Sequence, residues 1–192
     1  MSWIAPESEL PFRPRRILVA GTAGSGKSTL ARGISRILED VEYFEIDALY
    51  HGPQWIPNPR FVDHVDRRTL GAGWVTEWQY HTVRDLLADR ADLLVWLDLP
   101  RHVVMRSVTA RTVRRSLLGV ELWNGNREPR LQTILHDPDH IIRWAWRTHK
   151  QTAARVQACV QSRTTLNAIA LRSRPQAEAW LLGPLSRSAH RT

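Results

Sequence analysis

The chain has 192 residues, 43% hydrophobic and 24% charged, with a formal net charge of +8; this is the size and balance of one globular domain with a full core. Its longest apolar runs, such as Leu93–Leu97, are too short to span a bilayer, and the opening MSWIAPESELPFRPRR has no apolar stretch of a secretory signal. A single cysteine, Cys159, excludes an internal disulfide framework and a cysteine-based zinc site and points to a reducing cytoplasm.

Residues 1–13 are polar and proline-bearing and are expected to be disordered. RRILVA, 15–20, reads as a buried strand ending in glycine, and KSTLARGISRIL, 27–38, follows with apolar residues at helical spacing. VEYFEI, 41–46, alternates as a strand does. DALYHGPQWIPNPR, 47–60, carries three prolines and a glycine and reads as a loop or a broken helix. GWVTEW, 73–78, is a short strand and HTVRDLLADR, 81–90, a helix. DLLVWLD, 92–98, is the clearest buried strand, and PRHVVMRSVTARTVRRSLL, 100–118, runs from it as a helix. The segment 119–136 is polar and reads as exposed. Asp137 and Pro138 suit the start of a helix over 137–160. A strand over 164–171 and a helix over 174–182 close the domain, with a flexible tail at 184–192. Strands alternating with helices imply an α/β fold with a parallel sheet covered on both faces.

GTAGSGKST, 21–29, carries the pattern G-x-x-x-x-G-K-[ST] in its required frame, a strand before and a helix after. Gly21, Thr22, Ala23, Gly24, Ser25, Gly26, Lys27, Ser28 and Thr29 are the nucleotide-binding candidates. The glycines let consecutive backbone N–H groups point at one anion, and the helix start adds positive potential. Lys27 reaches the β/γ-phosphates, and Ser28 offers a hydroxyl to Mg²⁺. Of the 27 basic residues only Lys27 and Lys150 are lysine. In a chain that otherwise uses arginine, a lysine inside the glycine loop is informative: a slim ammonium fits there and a forked guanidinium does not.

Ligands of open parallel sheets bind beyond the carboxyl ends of the strands. Three acids fall there. Asp47 precedes the proline-rich insert and is the candidate base or acceptor-binding residue, although an Asp before ALYH also suits a helix N-cap. Glu77 is the candidate partner of Mg²⁺, in the Walker-B position, or else a strand-end surface charge. Asp98 reads as structural. Arg111, Arg114 and Arg115 share a helical face before the polar segment, which adds Arg127 and Arg130. Arginines over a phosphate site supply transition-state charge and exclude water; among these Arg111, Arg115 and Arg127 are the catalytic candidates. Of Trp144 and Trp146, one is expected in the core and the other to line an acceptor pocket or to pack under the segment 119–136.

Together GTAGSGKST, IDALYHGPQW, GWVTEWQY, VWLDLPR and WAWRTHK, in this order from about Arg15 to Leu182, resemble the adenylate-kinase-like P-loop kinases. Within them the chain is similar to the small proteins called FlaR-like or DNA topology modulation proteins. The resemblance implies a three-layer α/β/α domain over 14–183 with a five-stranded parallel sheet, an acceptor-binding insert near 48–70 and a lid near 117–136. It places Arg111 at a catalytic arginine before the lid and Asp47 at an acid that contacts the acceptor hydroxyl. The chain departs from the pattern at Glu77-Trp78-Gln79-Tyr80, where the family reads Asp-Gly-Asn-Tyr; Trp78 is expected to reshape the acceptor site. The Gly-Phe-Pro-Arg run of adenylate kinases is absent, so that activity does not follow.

The expected function is an ATP- and Mg²⁺-dependent kinase phosphorylating a small acceptor: a nucleotide, a nucleoside or a similar hydroxyl compound. The alternative is an ATP-binding regulator or weak ATPase acting on nucleic acid, suggested by the basic charge and by the DNA topology modulation resemblance, although the arginines form no tract.

Overall fold

The computed structural model describes residues 2–118, 121–126 and 141–190. Six parallel strands form one sheet: β1 (Ser2–Trp3), β2 (Arg16–Gly21), β3 (Glu42–Tyr43), β4 (Trp74–Glu77), β5 (Leu93–Leu97) and β6 (Asn167–Leu171), in the order β1-β6-β5-β2-β4-β3. The helices are α1 (Lys27–Ile37), α2 (Ile46–Tyr50), α3 (Phe61–Arg68), α4 (Arg84–Arg90), α5 (Arg101–Leu118), α6 (Ile141–Gln161), α7 (Arg174–Trp180) and α8 (Ser186–Ser188).

The strands are apolar on both faces because both faces are covered. Leu18, Ala20, Leu94, Trp96 and Ala168 enter one core layer with Trp74, Trp78 and Val156. Ile17, Val19, Leu93, Val95 and Ile169 enter the other with Leu30, Ile34, Val104 and Trp180. This alternation along β2, β5 and β6 makes the three-layer α/β/α architecture, and the expected five-stranded sheet is present with β1 added at one edge.

Both chain ends depart from expectation. Residues 2–13 of the segment 1–13 are not detached: Ser2–Trp3 pairs with β6, the Ile4 amide donates to Ala168 (2.8 Å), and Leu10 is 1% exposed. Ile4, Leu10 and Phe12 supply apolar contacts within an otherwise polar stretch, enough to dock it. In the tail, Pro184 and Leu185 are buried, and a wide helical turn over Leu181–Leu185 carries the chain from α7 into α8. Leu185 packs in the second core layer, which holds this segment against the domain.

The second predicted strand is shorter than its pattern. Only Glu42–Tyr43 pair, and Ile46 already opens α2, since its amide donates to the Glu77 carboxylate (3.3 Å) instead of to a neighbouring strand. The insert is a broken helix: α2, a single 3-10 turn at Pro53–Trp55, then α3. Neither predicted tryptophan of α6 is core; Trp144 is 44% and Trp146 56% exposed, each with an arginine over its ring.

Candidate functional site

The loop between β2 and α1 is shaped by glycines in the left-handed region. Gly24 has φ +85° and Gly26, the N-cap of α1, has φ +102°. At Gly24 no side chain fits: an added Cβ would lie 2.7 Å from the Cβ of Val108, because α5 packs on the loop. The Ser25 amide closes the turn on the Thr22 carbonyl (3.1 Å), and the first N–H groups of α1 have no intrahelical acceptor. Such a turn offers its amides to an anion.

The loop forms one wall of a cavity of about 960 Å³. All of residues 21–29 except Ser25 line it, as do Asp47, Glu77, Arg111 and Arg115. The sequence candidates therefore converge, apart from two groups. Ser25 is turned inward and buried. Arg127 and Arg130 lie outside the described residues, as does most of the expected lid. Arg114 is exposed and does not line the cavity, nor does Asp98, whose amide instead donates to Leu171 (2.9 Å).

Lys27 and two carboxylates set the electrostatics. Burial lowers the Lys27 ammonium from its ordinary value, and the nearby negative charges of Asp47 and Glu77 oppose that shift. Its Nζ lies 3.4 Å from the Thr22 carbonyl, to which it donates. The pairing of Val19 with Glu77 across β2 and β4 brings Glu77 beside the loop. Glu77 is 1% exposed; the Tyr43 hydroxyl donates to Oε1 (2.8 Å) and the Ile46 amide to Oε2 (3.3 Å). Burial, then the Glu77 charge, pushes the Tyr43 hydroxyl upward, so it remains a donor.

Asp47 is not a cap. It lies in the first turn of α2, whose N-cap is Glu45, and its side chain faces the cavity. Two donors hold Oδ1: the Gln79 amide (2.5 Å) and the Tyr80 hydroxyl (2.5 Å). Oδ2 has no hydrogen bond among the described residues. Burial raises the Asp47 carboxyl above the ordinary range, while Tyr80 and then Lys27 pull it back. Tyr80 is itself held in the left-handed region, φ 62°, uncommon for an aromatic residue and characteristic of functional turns.

Behind Tyr80 stands His51, whose Nε2 lies 3.2 Å from the Tyr80 oxygen. With the Tyr80 proton directed at Asp47, Nε2 takes the donor role, so the proton of the neutral ring sits on Nε2. Burial lowers the His51 imidazole further. Its ring stacks on Trp123 (5.8 Å) and meets Trp55 edge-on (4.9 Å).

Trp55 and Trp123 belong to two turns built alike. In one the Gly52 amide donates to Ile56 (2.8 Å), in the other the Leu122 amide donates to Asn126 (2.6 Å). Each turn contains a left-handed residue, Gln54 (φ 57°) and Asn124 (φ 56°). Asn126 joins them, accepting from the Trp55 amide (2.9 Å) and donating to Gly52 (2.8 Å). The described start of the expected lid, Leu122–Asn126, is thus fastened to the turn at Gly52–Ile56.

Sequence reading missed Gln79, Tyr80 and His51 as site residues. All three lie in the quoted strings WQY and ALYHGPQW, but their partners are distant in the chain.

The strand–glycine-loop–helix unit at the centre of a parallel sheet covered on both faces defines the chain as a three-layer α/β/α protein with a phosphate-loop motif. Among solved structures it is similar to a gluconokinase from Sinorhizobium meliloti 1021, at 22% identity over 93% of this chain and 95% of that one, with a TM-score of 0.48. It is also similar to a sugar kinase from Janibacter sp. HTCC2649 (18%, 88% of this chain and 90% of that one, TM-score 0.48). A shikimate kinase from Bacteroides thetaiotaomicron follows (15%, 88% and 95%, TM-score 0.45). No family model matches the chain, and no curated protein does, so the resemblance to FlaR-like proteins rests on its motifs.

Proposed function

We propose that the protein is an ATP- and Mg²⁺-dependent phosphotransferase acting on a small hydroxyl-bearing acceptor, a nucleotide, nucleoside or similar compound. The observation that carries this reading is Asp47: a half-buried carboxylate with one oxygen fixed and the other open, in the same cavity as Lys27 and the glycine loop. A hydrolase needs only to place water; a carboxylate oriented by two donors suits a defined acceptor.

The loop amides and Lys27 bind the β- and γ-phosphates. Asp47 Oδ2 accepts the proton of the acceptor hydroxyl as its oxygen bonds to the γ-phosphorus. The bond from that phosphorus to the bridging oxygen breaks, and ADP leaves with the electron pair. Arg111 and Arg115, both lining the cavity, balance charge on the transferred group. Arg127 is assigned the same task from sequence only.

Mg²⁺ takes oxygen ligands, keeps several waters and needs one or two protein groups beside the phosphates. The Ser28 hydroxyl and the Glu77 carboxylate, both lining the cavity, are such groups, and Tyr43 bonds Glu77 in place. When bound, the ion neutralises charge on the phosphate oxygens.

The test is phosphate transfer from ATP to a panel of nucleosides, nucleotides and metabolite alcohols, with acceptor-independent ADP release subtracted. Transfer to at least one acceptor, lost in Asp47→Asn, is the expected result. Acceptor-independent hydrolysis as the sole activity, equal in wild type and Asp47→Asn, overturns the reading, and strongly salt-dependent nucleic-acid binding would favour the alternative.

A further inference from the structure

One wall of the cavity has no part in the chemistry above. It is formed by Trp78, Arg84 at the start of α4, and the cavity-facing residues of α6. Thr148, Thr152 and Arg155 line the cavity at i, i+4 and i+7, the spacing of one helical face. Arg84 lies with its guanidinium 5.9 Å over the Trp78 ring, and the Trp78 indole N–H donates to the Arg84 carbonyl (3.1 Å). Trp78, 8% exposed, is therefore a rigid plate beneath a cation.

Neither arginine of this wall has a carboxylate partner among the described residues. The acid beside Arg84 in sequence, Asp85, is bridged to Arg163 (2.9 Å), which also holds Asp89 (2.7 Å). Arg155 donates to the neutral Gln151 (3.1 Å). The three carboxylates that line the cavity are engaged elsewhere: Glu45 with Arg32, Asp47 with Gln79 and Tyr80, Glu77 with Tyr43 and Ile46. Burial and then the charge of Arg155 hold the Arg84 guanidinium below its ordinary range, against the opposing charge of the adjacent Asp85. Two like charges thus face one hollow with no bonded counter-ion among the described residues, an arrangement that an oxyanion relieves.

We infer that Arg84 and Arg155 form an anion subsite, and that the acceptor carries a carboxylate or phosphate group there in addition to the hydroxyl presented to Asp47. This deepens the kinase reading and rests on it for the role of the hydroxyl. The plate of Trp78, one residue after Glu77, ties the subsite to the strand end that carries the chemistry, so the anion would fix the acceptor's orientation as well as its affinity.

The experiment uses matched acceptor pairs with the full chain. Glycerate against glycerol and a hexonate against the hexose probe carboxylate. A nucleoside 5′-monophosphate against its nucleoside, and a hexose 6-phosphate against the hexose, probe phosphate. Binding is measured by titration calorimetry with ADP present, and transfer is measured separately with ATP, for wild type, Arg84→Gln and Arg155→Ala. Arg155 is on the exposed side of α6, so its variant keeps the fold even if Arg84→Gln does not. At least one anionic member is expected to bind about tenfold or more tightly than its neutral partner, with that preference lost in Arg155→Ala. Equal binding within every pair, no binding by any anionic member, or a preference unchanged in Arg155→Ala overturns the subsite. An anionic preference without transfer leaves the subsite standing and removes the kinase reading. Transfer from ATP with equal binding within every pair does the reverse.

Discussion

Tyr80 donates its hydroxyl to the carboxylate of Asp47, 33 residues away in the chain, at 2.5 Å. His51 stands behind the same hydroxyl, so that one imidazole, one phenol and one carboxylate form a line into the cavity. A hydrogen bond to the charged form of an acid favours that form.

Tyr80→Phe is expected to shift the acid limb of the kcat/KM profile to higher pH. Burial raises the Asp47 carboxyl, and the Tyr80 bond is the largest influence pulling it back. Removing that bond raises the carboxyl further, and a base works only when deprotonated, so activity is lost first on the acid side and recovers as pH rises. A pH–rate profile identical to wild type, in a variant with unchanged thermal stability, would contradict the assignment of Asp47 as the base.

Lys27→Ala is expected to lower kcat/KM by about a hundredfold to a thousandfold, the scale of one lost charge-stabilising donor. The fold persists, because the ammonium is held by a single 3.4 Å bond to the Thr22 carbonyl and its burial is unfavourable to its charge. Steady-state kinetics beside a thermal melt checks both halves.

Gly24→Ala is expected to cost about 1–3 kcal/mol of stability and to weaken nucleotide binding together with it. The residue needs φ +85°, and the new Cβ would meet Val108 of α5. Chemical denaturation and nucleotide titration should both register the change; Val108→Ala in the same chain should recover part of the steric component and none of the dihedral strain.

Asn126→Ala is expected to raise acceptor-independent ADP release relative to transfer. The side chain joins the turn at Gly52–Ile56 to the turn at Leu122–Asn126 in both directions. Without it the insert and the start of the lid are no longer fastened, and water reaches the transferred phosphate. An unchanged ratio of hydrolysis to transfer would show that the fastening has no part in excluding water.

Asp92→Ala is expected to destabilise the fold by about 1–3 kcal/mol and leave KM for ATP unchanged. Its carboxylate accepts from the backbone amides of Arg15 (3.1 Å) and Arg16 (3.0 Å), at the end of the sheet away from the glycine loop. Denaturation midpoints set against nucleotide affinity separate the two effects.

The sequence by itself determined what depends on neighbours in the chain. The glycine loop is nine consecutive residues whose conformation follows from glycine and from the strand and helix that flank it, so its place between β2 and α1 is legible on sight. The layer order followed from apolar runs such as Leu93–Leu97, which have to be covered on both sides. Tertiary structure decided whatever depends on charge meeting charge across the fold. Asp before ALYH serves equally as a cap or as a base; what it faces chooses, and Tyr80, Gln79 and Lys27 come from other elements. Glu77 became an internal acid because the β2–β4 register set it beside the loop and Tyr43 closed over it. Arg84 and Arg155, two among many arginines in the sequence, stand out by facing one cavity while Asp85, next to Arg84 in the chain, is bridged to Arg163. Local patterns encode conformation through short-range sterics and burial; the pairing of ionisable groups is a long-range property, and no window of sequence contains it.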